Sequence, residues 1–241
     1  MGIVSALGAE ARHFAPSGGS SGVAAVLTHG ALSIVSGMGC EAAARGARTL
    51  IAQGATALTS FGMAGGLDSR LPCGVMILPH EVIHLDGRSH ATTSSWRERL
   101  AATIAATSQV VEGRLLTTSH PIASVAEKAQ LFDRTGAAAV DMESFAVAEV
   151  AHAHGLPFIA VRVIVDTAAD SLPRSVLLAG SEGPLRIGRL LAELVRQPRD
   201  LADLFRLARR YRLASRSLAS IGKADSPAYR IFSDGPPAGL S

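Results

Sequence analysis

The sequence is poor in aromatic residues, in cysteine and in charge. Phe, Trp and Tyr make up 4% of the 241 residues, so a core has to be built mainly from Ala, Val, Leu and Ile. The two cysteines, Cys40 and Cys73, provide neither a disulfide framework nor paired metal spacing, and we expect them to be small buried residues. Hydrophobic residues make up 48% and charged residues 18%, which favours a globular protein over a disordered one.

Features of several other protein classes are missing as well. No run of about 18 apolar residues is present to span a bilayer, and the apolar start of the chain lacks the basic segment that begins a signal peptide. The sequence contains no P-loop. We therefore expect a cytoplasmic protein with one main domain, no cofactor and no nucleic-acid partner.

The basic residues are concentrated near the C-terminus. Arg196–Lys223 carries eight Lys and Arg residues against two acids, a net of +6, while the rest of the chain has a net of −3. Apolar residues recur there at helical spacing: Leu204, Phe205, Ala208 and Tyr211. We expect a basic amphipathic helix over 196–223 that either contacts the inner membrane face peripherally or packs on its own body or a partner. A flexible tail is expected over 224–241.

Short apolar runs alternate with helical runs through residues 1–195. The predicted strands are Gly2–Ala6, Ala31–Ser36, Ala57–Phe61, Gly74–Leu78, Gly113–Thr118, Ala137–Val140 and Pro157–Val165. The predicted helices are Glu41–Gln53, Ser94–Thr107, Ser124–Arg134, Glu143–His154 and Gly183–Leu194. Continuous apolar strands between helices predict a single three-layer α/β/α domain around a twisted, mostly parallel sheet. Ligands of such sheets bind beyond the carboxyl ends of the strands.

Acidic residues follow three of the predicted strands. Glu10 comes after the first strand, Asp141 and Glu143 after the sixth, and Asp166 at the end of the seventh. Because the carboxyl ends of parallel strands lie along one edge, we expect these acids to converge on one site. A predicted glycine turn, Gly62–Gly66, would let the backbone approach a ligand closely.

Four segments that carry these residues resemble one enzyme family, in the same order along the chain. The segments are Gly2-Ile-Val-Ser-Ala-Leu-Gly-Ala-Glu10, Ser60-Phe-Gly-Met-Ala-Gly-Gly-Leu67, Val140-Asp-Met-Glu-Ser-Phe-Ala146 and Arg162-Val-Ile-Val-Asp-Thr-Ala-Ala-Asp170. They resemble the methylthioadenosine/S-adenosylhomocysteine nucleosidases of the nucleoside phosphorylase/nucleosidase superfamily. The resemblance implies cleavage of the N-glycosidic bond of a 5′-substituted purine nucleoside, with release of adenine.

Further features resemble the hopanoid-associated phosphorylase branch of that superfamily. They are His120-Pro-Ile-Ala-Ser-Val-Ala-Glu-Lys128, the paired Asp141-Met-Glu143 and the basic segment after Gln197-Pro198. This narrower resemblance implies removal of adenine from adenosylhopane in hopanoid biosynthesis, and therefore a lipid-linked nucleoside as substrate. A homodimer is expected because relatives form them and closed two-fold oligomers are common.

The chemistry of this cleavage suggests a role for each acid. As the glycosidic bond breaks, negative charge builds on the purine, so a positioned acid should protonate the leaving base. We expect Asp166 to be that acid, because a partly desolvated strand end can hold a proton near neutral pH. Glu143 is expected to accept hydrogen bonds from ribose hydroxyls, which strengthen as the sugar becomes cationic. Glu10 is expected to orient or deprotonate the attacking water.

The resemblance implies the remaining substrate contacts. It implies that Met142 packs against the sugar face, and it extends the substrate-binding set to Gly62, Met63, Ala64, Gly65 and Ile122. Two positions depart from the family pattern. Met63 stands where a small hydroxyl residue is common, and His120 stands where many relatives have an acid near the base. The hydroxyl and the acid that those relatives offer are therefore missing from these two positions.

Three other functions remain open at this stage. A phosphorolytic enzyme would use phosphate instead of water, with charge supplied by Arg12, Arg45 and Arg48. Glu10 argues against it, because a carboxylate repels an anionic nucleophile. A non-catalytic nucleoside binder is disfavoured by the retention of all three acids. A zinc hydrolase is suggested by His80-Glu-Val-Ile-His84, but H-E-x-x-H binds zinc only on a helix; after Pro79 we expect a strand and turn, and no metal.

Overall fold

The computed structural model describes residues 1–15, 21–27, 30–106, 108–172, 200–222 and 227–236. Within these ranges the strands join into one sheet of eleven. The strands are β1 Gly2–Ser5, β2 Ala24–Val26, β3 Leu32–Val35, β4 Leu58–Gly66, β5 Met76–Ile77, β6 Glu81–His84, β7 Ser89–Ala91, β8 Val110–Val111, β9 Arg114–Thr117, β10 Ala137–Asp141 and β11 Phe158–Asp166. The helices are α1 Gly8–Ala11, α2 Cys40–Ala52, α3 Ser94–Ile104, α4 Val125–Thr135, α5 Ser144–Ala153, α6 Asp200–Gly222 and α7 Pro227–Asp234.

Strand β4 organises the sheet. One of its edges pairs in parallel with β11 along almost the whole strand. The other edge pairs first with β1, in parallel, and then with β10, antiparallel, at Gly65 and Gly66. The sheet continues from β1 through β3 to β2, and from β10 through β9 and β6 to β7. This arrangement brings the carboxyl ends of β1, β4, β10 and β11 to one place.

Helices cover both faces of the sheet, which explains the continuous apolar strands. In β1, Val4 belongs to a buried cluster that contains Leu50 of α2 and Val147 of α5. Its neighbour Ile3 points to the other face, into a cluster that contains Trp96 of α3. The predicted α/β/α architecture with a mostly parallel sheet is confirmed.

The C-terminal helices α6 and α7 belong to the second of these layers. On α6, Ala214, Leu218 and Ile221 are fully buried in the cluster that contains Trp96. The indole N–H of Trp96 also donates a hydrogen bond of 3.1 Å to the backbone oxygen of Ile231 in α7. The described part of the expected C-terminal helix therefore packs on the body of the protein.

Some expectations about secondary structure are wrong. The predicted turn at Gly62–Gly66 is strand, because β11 continues to pair beside it. The flexible tail expected over 224–241 is helical at 227–234, where Ala228 and Ile231 join the core. The predicted helix Gly183–Leu194 lies outside the described residues. Among the residues that are described, no helix combines the length and apolarity needed to cross a bilayer.

Candidate active site

A pocket of about 190 Å³ lies where the ends of β1, β4, β10 and β11 meet. All but one of the site residues expected from the sequence line it: Glu10, Met63, Ala64, Gly65, Ile122, Met142, Glu143 and Asp166. The strand-end acids are thus brought together from positions more than 150 residues apart. Asp141 completes the acidic lining.

Gly62 is the expected site residue that is not among the lining residues. A Cβ atom at this position would overlap Nη1 of Arg162 and Oε1 of Glu10. Gly62 therefore makes room for Arg162 beneath the pocket and for Glu10, which lines it. It supports the site from below, whereas the sequence analysis expected it to contact the ligand.

Glu10, in the short helix α1 that follows β1, is held in place by two backbone hydrogen bonds. Its side chain folds back over α1, where Oε2 accepts a hydrogen bond of 3.1 Å from the N–H of Leu7. Oε1 accepts a second one of 2.9 Å from the N–H of Met63 in β4. The residue is 3% exposed, and this burial raises the pKa of Glu10 although the positive charge of Arg162 opposes the shift. A buried carboxylate with an elevated pKa can act as a general base near neutral pH.

Glu143 crosses from the start of α5 to the loop before α2. Its Oε1 accepts a hydrogen bond of 2.9 Å from the N–H of Gly39, whose φ of 90° favours glycine. Burial raises the pKa of Glu143 to about 7, with the charge of Arg162 opposing and that of Asp141 adding to the shift. Glu143 therefore changes its protonation state close to neutral pH.

Arg162 lies beneath the acids and was not expected from the sequence as a site residue. Its Nη2 is 2.7 Å from Oδ2 of Asp141 and 3.6 Å from Oε2 of Glu143. The guanidinium also donates to the hydroxyls of Ser60, at 2.8 Å, and Ser144, at 3.1 Å. The sequence did offer one indication of this role, because Arg162 is a single charged residue inside the otherwise apolar run of β11. Such a charge is buried only where it has partners.

Asp166 ends β11 and is 5% exposed. Its Oδ2 accepts a hydrogen bond from Nζ of Lys128, a lysine of α4 that has no exposed surface. Burial raises the pKa of Asp166, while the charge of Lys128 opposes the shift. Lys128 is a second residue that the sequence analysis missed as part of the site. Its spacing of three from the buried Leu131 places it on the inner face of α4.

The mouth of the pocket is apolar. Leu7 and Met38 line it and remain 39% and 38% exposed, whereas most of the large apolar side chains that the structure describes are buried. Pro121, Ile122 and Leu172 continue the apolar lining. The pocket therefore joins an acidic floor to an apolar entrance.

The groups required by the two alternative chemistries lie elsewhere. Arg12, Arg45 and Arg48 are exposed and are not among the lining residues. Within the H-E-x-x-H sequence, Glu81–His84 form β6 and a turn follows, as predicted. Along a strand, residues four apart are separated by about 13 Å, which prevents His80 and His84 from sharing a zinc ion as they would on a helix.

Comparison with known proteins agrees with this geometry. Residues 2–196 match the model of the phosphorylase superfamily. The chain belongs to this superfamily, which confirms the superfamily and the enzyme class, nucleosidase or nucleoside phosphorylase, that the ordered segments predicted.

Solved structures with a similar fold include three of known activity. The futalosine hydrolase of Helicobacter pylori has 21% identity over 70% of this chain and 85% of its own, with a TM-score of 0.62. The 5′-methylthioadenosine/S-adenosylhomocysteine nucleosidase of Neisseria meningitidis, in complex with methylthio-immucillin-A, has 20% identity over 70% of this chain and 86% of its own, with a TM-score of 0.62. The corresponding Helicobacter pylori nucleosidase, with butyl-thio-DADMe-Immucillin-A, has 19% identity over 91% of this chain and 95% of its own, with a TM-score of 0.65. At these identities the likeness shows the fold.

Proposed function

We propose that this protein is a purine nucleosidase that hydrolyses the N-glycosidic bond of a 5′-substituted adenosine and releases adenine, with residues 1–195 as the catalytic unit. One observation carries the proposal. Among the described residues that line the pocket, the ionisable side chains are Glu10, Asp141, Glu143 and Asp166. An acidic lining repels a phosphate nucleophile and suits activation of a neutral water.

In the proposed reaction each acid has one task. The O–H of Asp166 gives its proton to a ring nitrogen of the purine, and the electron pair of the glycosidic bond remains on the base. Glu10 takes a proton from water as the water oxygen bonds to the anomeric carbon. One proton leaves Asp166 and one arrives on Glu10, so exchange with solvent resets the enzyme.

Glu143 is proposed to bind the ribose. Its Oε1 accepts the hydrogen bond from Gly39, its Oε2 lies 3.6 Å from Nη2 of Arg162, and the residue lines the pocket. A carboxylate in this position accepts hydrogen bonds from sugar hydroxyls and stabilises the positive charge that develops on the ring. Met142 would cover the face of the sugar, and Met63, Ala64, Gly65 and Ile122 would contact the rest of the nucleoside.

The 5′ substituent is proposed to be apolar and lipid-linked, as in adenosylhopane. The support is the apolar mouth formed by Leu7 and Met38, together with the resemblance of His120–Lys128 to the hopanoid-associated branch. Exposed apolar surface at a pocket entrance commonly marks a binding site. A series of 5′-alkylthioadenosines of increasing chain length tests this point, because KM should fall as the chain grows.

A peripheral membrane contact through α6 is proposed to accompany the lipid substrate. Arg209, Arg212 and Arg216 are exposed on the outer side of this helix, around Leu213, which is 41% exposed. Each basic residue near an anionic bilayer contributes on the order of 1 kcal/mol of binding. Because the inner side of α6 belongs to the core, the helix itself is kept and only its exposed arginines are changed. The test is co-sedimentation with anionic liposomes of a variant in which all three arginines are replaced by Gln. Equal sedimentation of variant and wild type at low salt would rule the contact out.

A homodimer is also proposed, and light scattering on the purified protein tests it.

The experiment that tests the central proposal is base release from 5′-methylthioadenosine with and without added phosphate. Free adenine and free methylthioribose are expected in both buffers at the same rate. Asp166→Asn, purified in parallel, shows whether any release comes from a contaminating enzyme. Turnover that requires phosphate would establish a phosphorylase instead, and binding without turnover would establish a non-catalytic binder.

A further inference from the structure

Lys128 is an unusual residue in this chain. It is one of two lysines among 23 basic residues, and its side chain has no exposed surface. Burying an ammonium group is costly unless every one of its protons is hydrogen-bonded and its charge is paired. Its contacts must therefore compensate for this cost.

All the hydrogen-bonding capacity of Lys128 is directed at the end of β11 and the loop that follows it. Nζ donates to Oδ2 of Asp166, to the backbone oxygen of Thr167 at 2.8 Å and to the backbone oxygen of Asp170 at 2.9 Å. These three acceptors match the three protons of an ammonium group. The planar fork of an arginine would not match acceptors grouped around one point.

We propose that Lys128 is a positioning residue for Asp166: it holds one carboxylate oxygen, presents the other to the pocket, and adjusts through its charge the tendency of Asp166 to give up a proton. The proposal rests on the function proposed above, in which Asp166 protonates the leaving purine.

The geometry separates the two oxygens of Asp166. Oδ2 is held by Lys128, whereas Oδ1 accepts no hydrogen bond from the part of the chain that the structure describes, and Asp166 lines the pocket. Oδ1 is therefore the oxygen that would carry the proton to the base. As that proton leaves, the O–H bond of Asp166 breaks and an N–H bond forms on the purine, while Lys128 keeps its three protons.

The charge of Lys128 acts on the carboxylate that this step produces. Burial alone would make Asp166 a weak acid that holds its proton, and the adjacent ammonium stabilises the anion left after proton transfer. Three other groups face Asp166 from the surrounding elements: Asp170 in the following loop, Arg210 on α6 and Cys73 before β5. Among the described contacts, none of these three groups is hydrogen-bonded to Asp166, whereas Lys128 is.

Arg210, on α6, contacts the same loop. Its Nη2 is 2.6 Å from Oδ1 of Asp170, and Oδ2 of Asp170 accepts from the N–H and the hydroxyl of Thr167 at 2.9 and 2.7 Å. The charge of Arg210 also acts on Asp166, but less strongly than that of Lys128. It offers a graded comparison with Lys128.

The test is the pH dependence of kcat for Lys128→Met, with Arg134→Met as the matched control, because Arg134 is an exposed cation on the same helix. Asp166 must be protonated to act, so kcat falls on the alkaline side. In Lys128→Met this alkaline limb should move up by about 1–3 pH units. The maximal kcat should fall on the order of 10²-fold, since the acid is less well oriented. KM should change little, and Arg134→Met should match the wild type.

A purely structural role would lower thermal stability and leave the alkaline limb in place, and that result would overturn the proposal. If Lys128→Met does not fold, Arg210→Met carries the test: a smaller upward movement of the limb supports the proposal, and an unmoved limb contradicts it. The carboxyl ¹³C shift of Asp166, assigned with Asp166→Asn, follows its titration without any substrate. If the wild type releases no base, the proposed function fails, but this titration still decides whether Lys128 or Arg210 controls the proton of Asp166.

Discussion

Nη2 of Arg162 lies 2.7 Å from Oδ2 of Asp141, in an ion pair whose two side chains are each 1% exposed. Oδ1 of Asp141 accepts a further hydrogen bond of 2.6 Å from the hydroxyl of Thr117, and Oδ2 accepts one of 3.1 Å from the N–H of Ser144. The pair thus joins β9, β10, β11 and the start of α5 directly under the pocket. The pair thereby holds in place the structure beneath Glu10 and Glu143.

Removal of this arginine should therefore be strongly destabilising. Arg162→Met leaves Asp141 and Glu143 buried without their cation, and breaking such a pair costs about 3–5 kcal/mol. Arg45→Met is the matched control, because Arg45 pairs with Glu41 at 3.5 Å on the exposed side of α2, where a pair contributes about 0–1 kcal/mol. Denaturant unfolding of both variants measures the difference, and equal losses would contradict the structural role of Arg162.

Asp166→Asn should lose most of the base-releasing activity. An amide cannot donate a proton in the same way, and one positioned acid–base group contributes about 10²–10⁴-fold to the rate. Asp133→Asn, at an exposed position on α4, should retain wild-type turnover. The measurement is kcat for 5′-methylthioadenosine. Wild-type-like turnover in Asp166→Asn would show that Asp166 is not the acid that protonates the leaving purine.

Glu10→Gln should reduce kcat and leave adenine affinity within a few-fold of the wild type. The amide can replace one oxygen as an acceptor, but its NH₂ would face the N–H of Leu7 or Met63. An unsatisfied buried donor costs about 1–3 kcal/mol, so a lower melting temperature is expected as well. Calorimetry with adenine separates binding from turnover. Parallel losses of affinity and kcat would mean that Glu10 binds the ligand or supports the site, and is not the base for water.

Glu143 should make the stability of the free protein depend on pH. Its pKa is raised from 4.5 to about 7 by burial, so the folded state binds its proton more tightly than the unfolded state does. The associated stability is fully present below pH 4.5 and is lost as the pH rises through about 7. Burial acts in the same direction on Glu10 and Asp166. Glu143→Gln should therefore flatten, but not abolish, the fall in melting temperature between pH 4.5 and 7. An unchanged slope would show that Glu143 is already ionised across this range.

Gly62→Ala should disrupt the site although it adds a single methyl group. That methyl would overlap Nη1 of Arg162 and Oε1 of Glu10, two groups fixed by several partners. Gly8→Ala is the control, since a Cβ at Gly8 meets nothing within 4 Å. Activity and melting temperature of the two variants are compared. Similar values for both would show that the side chains beneath the pocket can move aside.

The amino-acid sequence by itself determined the class of fold and the general location of the site. Apolar runs alternating with amphipathic ones predict a covered, mostly parallel sheet, because each strand has to bury both faces. Acids placed directly after strands predict a common site, because strand ends converge. Glu10, Glu143 and Asp166 line one pocket for this reason. Their chemical roles remain predictions.

Tertiary structure alone decided which charges lie under the pocket. Arg162 and Lys128 are ordinary basic residues until Asp141 and Asp166, 21 and 38 residues away, are brought beside them. The energy of a buried charge depends on its neighbours in space, and local sequence does not specify them. The same holds for α6, since its amphipathic pattern suits a membrane, a partner or the protein's own body. Only the burial of Ala214, Leu218 and Ile221 against the sheet shows which surface covers its apolar side.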